Sequence, residues 1–283
     1  MSYRWMRLLT VSLVLALGAT SALAGPRRNL PGFSTNVITA HDDFSAGPVP
    51  MGFTINFFGT SYSSVYVNNN GNITFDGPLL AYTPPVSLAG LGRKILAPFF
   101  ADVDTRGAGS GLVTYGTDTV NGRPAFGIEY PGVGYYIFHA DKLNTFEVVI
   151  IDRSDVSPGD FDLEFNYDSM QWETGDGNGG VGGLGGSSGR VGYSNGLTGA
   201  GGASLELPGS GVPGSLLAGG SNTLITHSLN TTVVGRYLFW GRGGNIVNPS
   251  TSPPGAPAAT DLSLILTGLL LIAMVWSLRK RTA

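Results

Sequence analysis

The sequence predicts an all-β chain: an antiparallel β-sandwich flanked by an N-terminal signal peptide and a single C-terminal transmembrane helix. Three observations carry that expectation. The stretch DFDLEFNYD (160–168) alternates acidic or amide residues with large apolar ones, the period-two pattern of a strand with one face in a core. Asn-Gly pairs at 70–71 and 121–122 each sit between strand-like runs, and Asn-Gly is a strong hairpin signal because both residues tolerate positive φ. The 44 glycines and the lack of helical periodicity disfavour helices and favour short strands joined by tight turns.

Taken in order, the chain opens with Arg4 and Arg7, an apolar run over 8–17, and the small-residue site Ala22-Leu23-Ala24. That is the pattern of a secretory signal peptide occupying 1–24. Residues 25–94 read as a β lead-in packed on the main domain. Within it, MGFTINFF (51–58) is a strand with Phe53, Ile55 and Phe57 on one side, and 63–75 is a hairpin in which Val65 and Val67 face Ile73 and Phe75. A proline-bearing connection (76–93) leads to KILAPFFADVD (94–104), an apolar strand ending in Asp102 and Asp104. The second Asn-Gly hairpin follows, then the aromatic, irregular YPGVGYYIF (130–138).

FEVVII (146–151) is almost continuously apolar, as expected of a strand covered on both faces. The turn formers of RSDVSPG (153–159) join it to 160–168. This hairpin places Phe161, Leu163, Phe165 and Tyr167 in the core and Asp162, Glu164 and Asn166 toward water. Half of the 28 residues in 175–202 are glycine, too little side chain for a packed layer, with RVGYS (190–194) as one short strand. GRYLFWG (235–241) closes the domain.

The linker expected over 243–261 is rich in Pro, Ser and Ala, so it is extended. The uncharged run 262–278 is 17 residues long and precedes Arg279-Lys280-Arg281. At about 1.5 Å per residue it sits at the lower limit for spanning a bilayer, with the basic cluster on the cytoplasmic side. Linker, short apolar helix and basic stop together resemble bacterial sorting tails of the PEP-CTERM type, although no Pro-Glu-Pro is present. The resemblance implies a membrane sorting peptidase as a partner, and removal of the helix.

Five of the 16 Lys and Arg residues lie in these two ends, whereas all 19 Asp and Glu lie between them, so the central region carries about −8. Nucleic acid is therefore not an expected partner. Cysteine is absent, which removes disulfides, thiolate metal sites and cysteine nucleophiles together.

The segments APFFADVDTRGAGSGLVTY (97–115), VGYYIFHADKLNTFEVVIID (133–152), FNYDSMQWETG (165–175), VGYSNG (191–196), LPGSG (207–211) and GRYLFW (235–240) follow one another in an order that resembles the NIDO domain, an extracellular module. The resemblance spans 95–242. It implies a non-enzymatic role in cell-matrix adhesion or matrix interaction, with an extracellular-matrix or cell-surface polymer or protein as partner. The glycine-rich insertion after Trp172 departs from the pattern.

Asp102 and Asp104 lie in D-V-D-T-R-G, an alternation of carboxylates that suggests a calcium ligand pair. The EF-hand pattern fails at the fifth position, where Arg106 stands, so capping of a strand end with Arg106 is the competing expectation. Eight carboxylates against one arginine over 152–176 read as the solvated outer face of a sheet. Tyr130, Tyr135, Tyr136, Trp172, Tyr193 and Trp240 read mostly as core. No nucleophile elbow, H-E-x-x-H or phosphate loop occurs. The expected protein is an exported, membrane-anchored or released adhesion module without catalytic residues. The competing class is a secreted carbohydrate-active hydrolase using paired carboxylates.

Overall fold

The computed structural model describes residues 25–247. Its strands are β1 (Asn36–Val37), β2 (Ser45–Phe57), β3 (Thr60–Asn68), β4 (Asn72–Thr74), β5 (Ile95–Phe100), β6 (Thr114–Val120), β7 (Arg123–Tyr135), β8 (His139–Asp152), β9 (Phe161–Ser169), β10 (Gly180–Val181), β11 (Leu184–Gly185), β12 (Arg190–Ser194), β13 (Ser204–Glu206), β14 (Arg236–Arg242) and β15 (Asn245–Val247). They form a seven-stranded antiparallel sheet ordered β1-β6-β7-β8-β9-β14-β15 and a six-stranded antiparallel sheet ordered β13-β12-β5-β4-β3-β2. Strands β10 and β11 pair separately. No helix among the described residues is long and apolar enough to cross a membrane. The expected signal peptide, the linker from 248 onward and the expected membrane helix lie outside the described residues.

The hairpins follow the sequence pattern. Asn121 and Gly122 both take positive φ, +52° and +77°, and close a two-residue turn between Val120 and Arg123. In the first hairpin Val67 pairs with Ile73 and Asn68 with Asn72. There only Gly71 takes positive φ (+71°), because three residues rather than two span the turn. β8 and β9 pair from Thr145–Ser169 to Asp152–Phe161. Beyond 242, where a linker is expected, Gly243 and Gly244 both take positive φ and fold β15 back onto β14.

The two sheets pack face to face over one large core. Phe57, Val65, Val67, Leu96 and Phe99 of one sheet meet Phe126, Phe146, Leu163, Phe165 and Tyr167 of the other. Phe99 lies edge-on to Phe146 at 5.8 Å, and Tyr193 edge-on to Phe239 at 5.7 Å. The buried tyrosines satisfy their hydroxyls across the gap: Tyr130 donates to Asn68 O at 2.8 Å and Tyr167 to Pro98 O at 2.6 Å. A buried hydroxyl left unpaired costs about 1–3 kcal/mol, so these bonds fix the spacing of the layers as the rings fill it.

The outer face of the seven-stranded sheet overturns one expectation. Glu129, Glu147, Glu164 and Asn166 are 5%, 0%, 3% and 0% exposed, so the middle of the acidic face is dry, whereas Asp152 and Asp162 near the β8–β9 turn keep partial exposure. Register places Glu129 opposite Glu147, Glu147 opposite Asn166 and Asn166 opposite Arg236. Like charges directly opposite on neighbouring strands destabilise a sheet. The segment before β1 resolves the conflict by lying across this row. Arg27 Nη2 reaches Glu129 Oε1 at 3.1 Å, and Arg28 Nε reaches Glu164 Oε2 at 2.8 Å. The Arg28 amide donates to Glu147 Oε2 at 3.0 Å, and Ser34 Oγ to Glu129 Oε2 at 2.8 Å. From beneath, Arg236 Nε donates to Asn166 Oδ1 and to Pro26 O, both at 3.1 Å. Phe33 then anchors the strap in a small apolar cluster with Val120, Ala125, Val149 and Ile151. Its ring lies where a side chain at Gly127 would go, 2.3 Å from that position.

Replacing Arg28 by Ala leaves buried Glu164 with Arg236, 3.7 Å away, as its remaining cation among the described residues. A buried charge left with no partner costs about 3–5 kcal/mol, so a destabilisation below that range is expected, which urea unfolding will register. Burial pushes Glu147 up to about 7, against hydrogen bonds from the Arg28 amide and Asn166 and with help from Glu129. The folded state therefore holds a proton that the unfolded chain releases near its ordinary value. Its contribution is complete below about pH 4 and is lost as pH rises through about 7. Melting temperatures measured across that window will fall for the native chain and fall less steeply for Glu147→Gln, the remaining slope coming from Asp42 and Asp102, which are raised in the same way.

Candidate functional site

At one end of the sandwich the chain crosses between sheets. The segment 38–44 leaves β1 in the seven-stranded sheet and enters β2 in the six-stranded one, carrying Asp42 and Asp43. It lies against the β3–β4 turn, whose Asn68, Asn69 and Asn70 are all buried. The Asn69 amide donates to Phe44 O at 2.8 Å, and its side chain donates to Val103 O at 2.6 Å and to Asp42 O. Asn70 Nδ2 donates to Asp43 Oδ1 at 2.7 Å, while its Oδ1 accepts the Val103 amide at 2.9 Å. The side chains of a turn thereby bind the crossing loop to the end of β5.

Asp102 and Asp104 diverge. An i, i+2 pair shares a face only while the chain stays extended, and here the Val103 amide bonds back to Ala101 O at 2.9 Å. Asp104, 0% exposed, is consumed by Arg106 and the next hairpin. It accepts Arg106 Nε at 2.8 Å, Arg106 Nη2 at 2.7 Å, and the amides of Arg106 at 2.9 Å and Phe138 at 3.0 Å. Burial raises its carboxyl, but the Arg106 and Phe138 bonds outweigh that and hold it below the usual range.

Asp102 instead lines a cavity of about 170 Å³ with Asp42, Asp43, Tyr82, Tyr136 and Gly177. The glycine-rich insertion closes the cavity through its backbone and Asn178. The Asp176 amide donates to Tyr136 O at 2.8 Å. Asn178 Nδ2 reaches Asp102 Oδ2 at 3.1 Å and Tyr82 O at 3.2 Å, and Thr83 Oγ1 donates to Asn178 Oδ1 at 2.6 Å. A Cβ at Gly175 would fall 2.3 Å from Asp102 Oδ2, so that approach requires glycine. Of the aromatic residues expected in the core, Tyr130, Tyr135, Trp172, Tyr193 and Trp240 are buried. Tyr136 is half-buried and lines the cavity.

One oxygen each from Asp42, Asp43 and Asp102 lie within 4.8 Å of one another. Burial, then the charges of Asp42, Asp43, Asp104 and Asp176, push Asp102 up to about 8. Burial, Asp43 and Asp104 raise Asp42 to about 6 against the pull of Arg106. A carboxylate group of this kind holds either a proton or a hard cation. The sequence pointed to Asp102 but not to Asp42, Asp43, Asn70 or Asn178. The adjacent acidic pair at 42–43 and three consecutive asparagines, more than a turn needs, are the cues that point to them.

Fold and cavity define a two-sheet β-sandwich module with a carboxylate-lined recess at one end. The nidogen-like domain model matches residues 63–241. The chain belongs to the nidogen-like domain family. It is 30% identical over 222 residues to alpha-tectorin of Mus musculus and of Homo sapiens, and 28% identical over 220 residues to alpha-tectorin of Gallus gallus. Each alignment covers 70% of this chain and 10% of the relative, so the chain matches about a tenth of the length of these relatives. No solved structure matches significantly. The family match begins inside β3 and takes in Asn70, Asp102 and Asn178, whereas the arginine strap and Asp42-Asp43 precede it.

Replacing Asp104 by Ala leaves the Phe138 amide without its acceptor and Arg106 with Asp42 Oδ2 alone. The expected loss is about 2–3 kcal/mol in unfolding free energy, measured by denaturant titration.

Proposed function

We propose that the protein is an exported, non-enzymatic module that mediates adhesion or matrix interaction outside the cell. Its partner is a matrix or cell-surface polymer or protein. The C-terminal segment tethers it to a membrane until a sorting peptidase removes that segment. The observation that carries this reading is the nidogen-like match, which runs through strands of both sheets rather than through one isolated motif. The acidic middle of the chain and its lack of cysteine suit an exported β domain held by burial alone.

One observation favours the competing class, a carbohydrate-active hydrolase. Asp102, raised to about 8 beside two further carboxylates, is the kind of pairing from which a general acid and a nucleophile are built. Against it, a cavity of about 170 Å³ is smaller than the roughly 300–1,000 Å³ of small-molecule sites.

Fractionation of cells expressing the full chain, combined with incubation of the purified chain with matrix polysaccharides, separates these readings. The adhesion reading expects envelope or extracellular location, sedimentation with the matrix and no new reducing ends. Cytoplasmic location contradicts export. Reducing ends that disappear with Asp102→Asn contradict the non-enzymatic role.

A further inference from the structure

We infer that Asp42, Asp43 and Asp102 form a calcium-binding site that ties the sheet-crossing loop to the end of β5 and to the glycine-rich insertion. Three carboxylate oxygens no more than 4.8 Å apart can share one ion at the Ca–O distance of about 2.3–2.6 Å. The second observation is Asp102 itself. It is 1% exposed and lines the cavity, yet accepts only one hydrogen bond among the described residues, at Oδ2 from Asn178. Its Oδ1 has no donor among the described residues. To give up its proton at this depth, the Asp102 carboxyl requires a positive partner, and the Arg106 guanidinium is already taken by Asp42 Oδ2 at 3.0 Å and by Asp104.

The three carboxylates are held in the same way. Arg106 Nη2 fixes Asp42 Oδ2, Asn70 Nδ2 fixes Asp43 Oδ1 and Asn178 Nδ2 fixes Asp102 Oδ2. In each case the other oxygen accepts nothing among the described residues. That of Asp42, Oδ1, is shut away from solvent without a partner. Outer hydrogen bonds that orient a carboxylate and leave its second oxygen clear are what a metal ligand needs. The all-oxygen set selects a hard cation. A cavity with room for waters and irregular ligand directions suits calcium better than magnesium, which demands near-ideal octahedral geometry. Asp104, fully occupied by Arg106 and the Phe138 amide, is excluded from the set. The site takes calcium whether or not the domain binds a matrix polymer.

The test uses the purified full chain with calcium, sodium at matched ionic strength, and terbium as a luminescent stand-in for calcium, excited through Tyr82 and Tyr136. Calcium is expected to raise the melting temperature with half-saturation at about 10⁻⁴–10⁻³ M, the range of extracellular modules. Terbium should luminesce and be displaced by calcium. Asp43→Asn should weaken half-saturation about tenfold or more, whereas Asp104→Asn, which removes a nearby charge but no ligand, should weaken it by much less. Above about pH 8, where the Asp102 carboxyl is ionised, Asp102→Asn should raise the melting temperature of the metal-free chain, because a repelled buried charge is removed, while abolishing the calcium response. A merely structural Asp102 would instead lower it. Equal responses to calcium and to matched sodium overturn the site, as does an Asp43→Asn variant that binds like the native chain.

Discussion

Three glutamates on adjacent strands, sealed from water, set the terms for the rest of this domain. Glu129 faces Glu147 directly across β7 and β8, and Glu164 lies one step away on β9. A sheet with this row on an open face would hydrate it at little cost. Sealed, the row needs countercharge of matching geometry, because an unpaired buried carboxylate costs several kcal/mol. Arg27 and Arg28 supply it from above and Arg236 from within the sheet. The N-terminal strap is therefore a third partial layer, and the central sheet is covered on both sides. The same requirement explains Gly127, whose missing side chain makes the seat for Phe33.

The strap also determines where the recess forms. Once it has crossed β7–β9 it enters β1, which pairs with β6 at Asn36–Tyr115 and Val37–Thr114. The chain must then pass to the opposite sheet to begin β2, and Asp42 and Asp43 fall on that passage. Buried asparagines take the Asp43 carboxylate and the backbone of the passage as partners, so the loop is pinned although it belongs to no strand. Asp102 arrives from the end of β5, and Asn178 from an insertion whose glycines let backbone approach a carboxylate. The recess is thus assembled from three segments far apart in sequence, brought together by the crossing of the chain between layers.

Period-two alternation was sufficient to identify the β8–β9 hairpin and its inward face, because a strand has only two faces and large apolar residues choose one. It said nothing of what covers the other. Glu164 and Asn166 looked like part of a wet surface, and the reason they are not lies in the strap and Arg28, more than 130 residues earlier than Glu164, whereas Asp162 keeps partial exposure and pairs with Arg153 and Arg242. The Asn-Gly turns were legible because their φ requirement is local. The second role of Asn69 and Asn70, as anchors for the crossing loop, is not local and left only an excess of asparagine as its trace. Asp102 and Asp104 looked like a pair because i, i+2 spacing assumes extended backbone. The turn at Ala101–Val103 removes that assumption and sends the two carboxylates to different partners. The family pattern was legible for a different reason: several short motifs in order constrain one another, even when each alone is weak.

The central claim is that the arginine strap converts the outer face of the seven-stranded sheet into interior. Amide hydrogen exchange across β7, β8 and β9 tests it most directly, comparing the native chain with an Arg27→Ala, Arg28→Ala double variant under conditions where both remain folded. The account predicts that the amides around Glu129, Glu147 and Glu164 exchange only through global unfolding in the native chain. In the variant they should lose protection selectively, while β3, β4 and β5 of the opposite sheet keep theirs. Identical protection of β7–β9 in the two proteins would show that the strap is an ornament on a sheet already closed, and would contradict the account.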